Sequence, residues 1–166
     1  MKMSIRPIVF CLFLVSTPCF TFAASVSVLV VETGLNESSV NGLADIWESG
    51  IMDVLFNAGH IVCNSTPLYI PEIADEEIPS KLYLSLEEAE EGGVEYFLIA
   101  MLNYGNRNEV KNARPDQITL KLFNVTYKNI LYTQNIDKPE TRTYRDEFSN
   151  AQKAARIIMP YLGGKV

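Results

Sequence analysis

The stretch from residue 25 to residue 63 restricts the fold of this chain more tightly than any other, because its hydrophobic period changes twice. "SVSVLVVE" (25–32) alternates serine and valine and then becomes wholly apolar, the pattern of a strand whose far end is covered on both faces. After the turn "TGLNE", apolar side chains fall at Val40, Leu43, Ala44, Trp47, Ile51, Val54, Leu55 and Ala58. Spacings of three and four define one continuous helical stripe, with Ser38 or Ser39 available as its cap and Glu48 and Asp53 left for solvent. Gly59 sits where a helix ends in a left-handed residue, and "HIVC" then begins a second strand. Strand, long helix, strand is a βαβ unit, and its crossover is expected to be right-handed.

Downstream, 67–79 reads as loop, with three prolines and an acidic run. "SLEEAEEGG" predicts a short helix with Ser85 and Glu88 in capping-box register and Gly92-Gly93 as its stop. "VEYFLIAML" is apolar enough for a central strand, and a polar loop follows from Asn103 to Asp116. "QITLKLFNV" and "ILYTQNI" flank the turn "TYKN" as a hairpin in which Ile118, Leu120 and Leu122 share a face. A last helix, capped by Thr141 or Thr143, has its stripe at Tyr144, Phe148, Ala151, Ala155 and Ile158, and Pro160 disrupts its final turn. The expected fold is therefore α/β (α+β): a mixed sheet of about five strands flanked by helices, in the order β-α-β-α-β-β-β-α.

Residues 1–23 read as an export signal. Lys2 and Arg6 precede the unbroken apolar run Ile8 to Val15, and Thr21-Phe22-Ala23 places small residues where a signal peptidase inspects them. The run is broken by Ser16, Thr17 and Pro18, short of the roughly 20 apolar residues a spanning helix needs, so stable membrane insertion after cleavage is not expected. Pro18 is a poor neighbour for a lipidated Cys19, which favours a soluble fate, periplasmic or secreted. Residues 24–166 then form a single α/β domain, which at this size buries one core. Once Cys11 and Cys19 leave with the leader, Cys63 stands alone, and no internal disulfide can hold the fold. Loss of Lys2 and Arg6 makes a net charge of −6 two units more negative. Phosphate recognition needs clustered Lys and Arg, so nucleic acid is excluded as a partner class.

Candidate chemistry is sparse. His60, the only histidine, follows the helix stop with no nucleophile signature to serve, and reads as a structural or turn residue. A zinc site on His60 and Cys63 would need more His or Cys than the mature chain has, so no metal or cofactor is expected. Cys63 fits the alternation of its strand as a small buried apolar residue, an intermolecular bridge being the alternative. The acids Glu72, Asp75, Glu76, Glu77, Glu87, Glu88, Glu90 and Glu91 lack the spacing of a calcium loop and read as a solvated face. No pair among them is selected as catalytic. Gly34 stands alone after the first strand, so there is no phosphate loop. The sequons at Asn36, Asn64 and Asn124 matter only in a glycosylating pathway. The loop "NYGNRNEVKNARPD" differs: it is long for a connection between strands and carries Arg107, Lys111 and Arg114 in an acidic protein, which makes those three the candidate partner-binding residues.

Three segments in this order, "ADIWESGIMDVLFNAGHIV", "GGVEYFLIAMLNY" and "ITLKLFNVTYKNILYT", resemble the α/β domain of bacterial envelope proteins typified by the curli secretion lipoprotein CsgG, the penicillin-binding-protein activator LpoB and the N-terminal domain of TolB. The resemblance covers most of residues 25 to 160. It implies a non-enzymatic protein that docks to envelope partners or assembles into larger structures. The chain departs from the group in lacking a lipidated cysteine at the mature terminus and the long membrane-inserting hairpins of a channel. The group carries no catalytic motif, so no catalytic residue transfers. The expectation is an exported interaction or assembly module of an envelope complex, binding envelope proteins or itself. The competing reading is a small-molecule binder or hydrolase using carboxylates that the sequence does not pair.

Overall fold

A computed structural model describes residues 23–34, 42–70, 80–105, 114–137 and 143–163. The expected βαβ unit is present as β1 (Ser25–Thr33), α1 (Leu43–Asn57) and β2 (Ile61–Asn64), with β1 and β2 parallel. Then come β3 (Leu68–Ile70), α2 (Ser80–Glu91), β4 (Tyr96–Asn103), β5 (Gln117–Asn124), β6 (Asn129–Asp137), α3 (Tyr144–Ile158) and a single 3-10 turn at Met159–Tyr161. The sheet is mixed and six-stranded, in the order β2-β1-β4-β5-β6, with β3 also pairing β1. β1 and β4 are parallel over Val26↔Tyr96 to Thr33↔Asn103, whereas β4–β5 and β5–β6 are antiparallel.

The sixth strand corrects the sequence reading, which assigned its residues to a loop. β3 lies directly after Pro67 and spans three residues, too few for a period to register, and it runs beside β1 beyond the end of β2. The second helix starts at Ser80 rather than Ser85. Ser85 lies buried inside it, because Leu82, Leu86 and Ala89 recur on one face and carry the helix upstream.

Two apolar layers sandwich the sheet. Val26, Val28 and Val30 of β1, Leu98 and Ala100 of β4, and Ile118, Leu120 and Leu122 of β5 lie under α1 and α3. The opposite residues Leu29, Val31, Phe97, Ile99 and Phe123 lie under α2. Trp47, Ile51 and Leu55 are fully buried on the expected α1 stripe, each contributing about 1.5–3 kcal/mol of apolar burial. Gly59 adopts φ 89 directly after α1, as its position required, and the helix turns into β2. The other end of α1 starts from Gly42, and the expected caps Ser38 and Ser39 lie outside the described residues.

In α3, Thr143 forms a capping box with Asp146, and the α-helix stops at Ile158, two residues before Pro160. Its stripe differs from expectation. Tyr144 is exposed, and Glu147 lies fully buried beside Ala151, Ala154, Ala155 and Ile158. The hairpin turn covers 125–128, one residue earlier than "TYKN", with Lys128 at φ 51 and the Asn124 side chain accepting the Tyr127 N–H at 2.9 Å.

Candidate functional site

The carboxyl ends of parallel strands are where open α/β sheets gather polar groups, and here the ends of β1 and β4 lie side by side. Gly34 (φ 79) and Gly105 (φ 63) let the two departing chains touch backbone to backbone. A Cβ on Gly34 would collide with the Gly105 carbonyl. Just before this crossing, Glu32 is fully buried on the α1 side of β1. Its carboxylate accepts the Tyr104 O–H at 2.9 Å and the Ala44 backbone N–H in the first turn of α1. Glu32 thus caps from a distance a helix whose own cap residue, Gly42, has no side chain to offer.

Burial pushes the Glu32 carboxyl above the usual carboxylate range and the Asp45 charge adds to this, while the Tyr104 and Ala44 hydrogen bonds oppose it. Glu48 is raised for the same first reason, again with Asp45 contributing, against a 2.9 Å hydrogen bond from Asn64 Nδ2. Burial raises Tyr69 of β3 as well, with the charges of Glu32 and Asp45 adding. Three acids therefore converge at the start of α1. None belongs to the acidic run that the sequence makes conspicuous. Glu72, Asp75, Glu76 and Glu77 lie outside the described residues, and Glu87, Glu88, Glu90 and Glu91 are exposed on α2. Among the described residues no group of three His, Cys, Asp or Glu side chains is arranged to hold a metal ion.

Of the three basic candidates, Arg107 and Lys111 lie outside the described residues. Arg114 turns inward. Its guanidinium sits 3.4 Å from Glu147 Oε1 and 5.2 Å over the Tyr144 ring, with the side chain 27% exposed. Trp47 Nε1–H donates to the other Glu147 oxygen at 2.9 Å. This network joins α1, α3 and the segment entering β5 around one buried carboxylate. Its sequence signal was an acid at 147 in helical register with Ala151, Ala154 and Ile158.

His60 is structural: buried, it accepts the Ala24 backbone N–H on Nδ1 at 3.2 Å and ties the start of β1 to the start of β2. Cys63, expected to be buried, is exposed. It pairs with Ser27 on the α2 side of the sheet, but α2 covers β1, β4 and β5 and leaves the edge strand β2 open. Ile61 is exposed on that same face.

A second candidate surface lies at the opposite end of the sheet. The contact loop leaves β4 at Asn103↔Gln117, whereas the hairpin turn follows Tyr96↔Asn124, so the loop and the turn lie at opposite ends of β5. Between α2 and the turn opens a cleft of about 580 Å³, walled by Tyr83, Leu86, Phe123, Val125 and Ile130 and rimmed by Glu87, Glu90 and Lys128. Lys128 Nζ bridges to Glu90 at 2.9 Å across the rim. Tyr83 is 55% exposed and Tyr127 78%, and Leu84 and Ile130 also face solvent. Large apolar side chains thus cluster, partly exposed, at this end of the sheet.

No family model matches the sequence, and no curated protein matches it. Among solved structures the chain is similar to the PelC dodecamer from Paraburkholderia phytofirmans, with 14% identity, TM-score 0.46, and coverage of 85% of this chain and 90% of that one. It is also similar to the LpoB C-terminal domain from Escherichia coli (17% identity, TM-score 0.40, covering 68% of this chain and 81% of that one). A third similar structure is TolB from Acinetobacter baumannii, at 13% identity and TM-score 0.38, covering 81% of this chain and 26% of TolB. LpoB and TolB, which typify the group the sequence resembles, are thus among these structures. At such identities and scores the likeness assigns no activity and no partner.

Proposed function

We propose that this protein is an exported, non-enzymatic interaction or assembly module of a bacterial envelope complex, and that it works by docking to an envelope protein. The export signal at residues 1–23 and the sequence resemblance to the CsgG, LpoB and TolB group support the compartment. The observation that carries the docking role is the open apolar cleft between α2 and the β5–β6 turn. The basic loop is the second contact, with Arg107 and Lys111 meeting the partner and Arg114 anchoring the loop to Glu147.

Tyr83→Asp with Ile130→Asp is expected to lower crosslinked recovery of the partner by about tenfold or more, because aromatic and apolar anchors dominate interfaces. The melting temperature should fall by only a few degrees, since both side chains are about half exposed in the folded protein. Arg107→Glu with Lys111→Glu should weaken recovery and remove its salt dependence. Full recovery in both double variants would sink the assignment.

One observation favours the ligand-binding or hydrolase alternative: Glu32, Asp45 and Glu48 converge, two of them with raised pKa values. That reading predicts a rise in melting temperature with a metabolite or divalent cation that disappears in Glu48→Gln.

A further inference from the structure

Resting on the docking role proposed for the cleft between α2 and the β5–β6 turn, we infer that its occupant is a basic segment of the partner protein. That segment seats an aromatic or aliphatic anchor in the cleft and carries Lys or Arg close beside the anchor. Buried Phe123 and Val125 lie deepest in the cleft, and Tyr83 and Ile130, each about half exposed, wall it. At about 580 Å³ it is the size of a pocket for one ligand-sized group, so it holds a partner's anchor side chains and not its whole contact surface. Leu84, next to Tyr83 on α2, and Tyr127, in the turn, are exposed outside it. Apolar surface therefore continues beyond what an enclosed small molecule would cover, which favours a length of chain.

The charge around the cleft is unbalanced within the chain. α2 divides along its axis: Tyr83 and Leu84 lie in its first half, whereas Glu87, Glu88, Glu90 and Glu91 crowd its last turns, where no basic residue stands. These carboxylates meet the negative end of the helix dipole, and Glu87 stands at the spacing from Glu90 and Glu91 at which like charges repel. Glu95, exposed just past the helix, adds another negative charge. Among the described residues only Lys128 forms an ion pair with any of them, reaching Glu90 across the rim at 2.9 Å. Lys128 is 66% exposed, so that pair is screened by water and readily exchanged. The acids thus cost the end of α2 stability, and a partner's cations offset that cost.

Helical geometry also sets where those cations fall. Glu87 lies about one turn beyond Tyr83 and Glu90 about two, so the carboxylates stand roughly 5–10 Å along α2 from the aromatic wall. An extended segment advances about 3.3 Å per residue, which places its Lys or Arg two or three residues from the anchor. A cation there takes Glu90 over from Lys128. An acidic segment offering the same anchor meets uncompensated repulsion instead. The net charge of −6 steers a basic segment toward the chain from a distance.

Synthetic peptides that share a leucine–phenylalanine pair and carry lysine, glutamate or serine at the flanking positions are titrated against the purified protein by fluorescence anisotropy. Lysine-flanked peptides are expected to bind about tenfold or more tightly than glutamate-flanked ones at low salt, with the gap narrowing at high salt. Glu87→Gln with Glu90→Gln should weaken the lysine-flanked peptides about threefold or more without lowering the melting temperature, whereas Lys128→Gln should tighten them. Tyr83→Asp with Ile130→Asp should abolish binding of every peptide. Equal binding of lysine-flanked and glutamate-flanked peptides, lost in the double aspartate variant, overturns the basic partner and leaves the cleft a docking surface. No binding by any peptide also overturns it, and crosslinked recovery with the double aspartate variant then decides the docking role separately. A dimer in sedimentation velocity that the double aspartate variant dissociates makes the occupant a second copy and overturns the inference equally.

Discussion

Two fully buried carboxylates, Glu32 and Glu147, differ in what faces them. Glu147 has a cation and the Trp47 N–H, whereas Glu32 has the neutral Tyr104 and Ala44 donors and a like charge in Asp45. A raised folded-state value means that the folded protein holds the Glu32 proton more tightly than the unfolded chain does. Its favourable contribution is complete below the unfolded value of 4.5 and is lost as pH rises through the folded value. Glu32→Gln is therefore expected to raise the melting temperature at neutral pH and to give progressively less gain toward pH 4.5, compared by calorimetry at both ends. A gain that does not vary with pH would show that the Glu32 carboxyl takes up its proton equally in the folded and unfolded states. Arg114→Met should lower stability by about 2 kcal/mol, below the 3–5 of a sealed pair because Arg114 is partly exposed. Arg114→Met with Glu147→Gln should recover most of that loss in a double-mutant cycle followed by chemical denaturation. The helical register of position 147 with Ala151, Ala154 and Ile158 is visible in the sequence, yet the expected stripe ran through Tyr144 and Phe148 and missed it, because an acid is not read as a core residue without its partners. Position 32 only ended an apolar strand, and nothing local told that Tyr104 would arrive opposite it.

The contact between α1 and α3 turns on a single glycine. An added Cβ at Gly50 would lie 2.7 Å from Ala151 Cβ and 2.9 Å from the Phe148 carbonyl oxygen. In an isolated helix Gly50→Ala would gain about 1 kcal/mol, but overpacking costs about 1–3 kcal/mol and part of this clash is with backbone, which cannot rotate away. The variant should lose about 1–2 kcal/mol in denaturant unfolding, and Ala151→Gly should restore only part of it, because the carbonyl stays in place. A gain in stability would show that the helices separate freely. The α1 stripe was readable because seven of its expected positions repeat at helical spacing between residues 43 and 58, although Ala58 proves exposed at the end of the helix. The start of α2 was not, since the Ser85 and Glu88 spacing imitated a cap inside a helix that packing extends upstream.

Across the molecule, β1 and β4 are covered on both faces and paired on both sides, whereas β2 and β6 lie at edges. Amides of β1 and β4 should exchange only through global unfolding and those of β2 and β3 through local opening, separable by native-state hydrogen exchange. Uniform protection across the sheet would contradict this. The hydrophobic periods alone determined the element types apart from the three-residue β3, the parallel βαβ unit, the hairpin and the burial of Trp47, because each depends on residues close in sequence. Only the tertiary structure decided which strands lie at the edges, and with that the exposure of Cys63 and the open side of β6. It alone brought Glu32 to Tyr104 and Glu147 to Trp47, 72 and 100 residues apart in the chain. Strand order and long-range side-chain pairs depend on how packed layers share one core, and no local period encodes that arrangement.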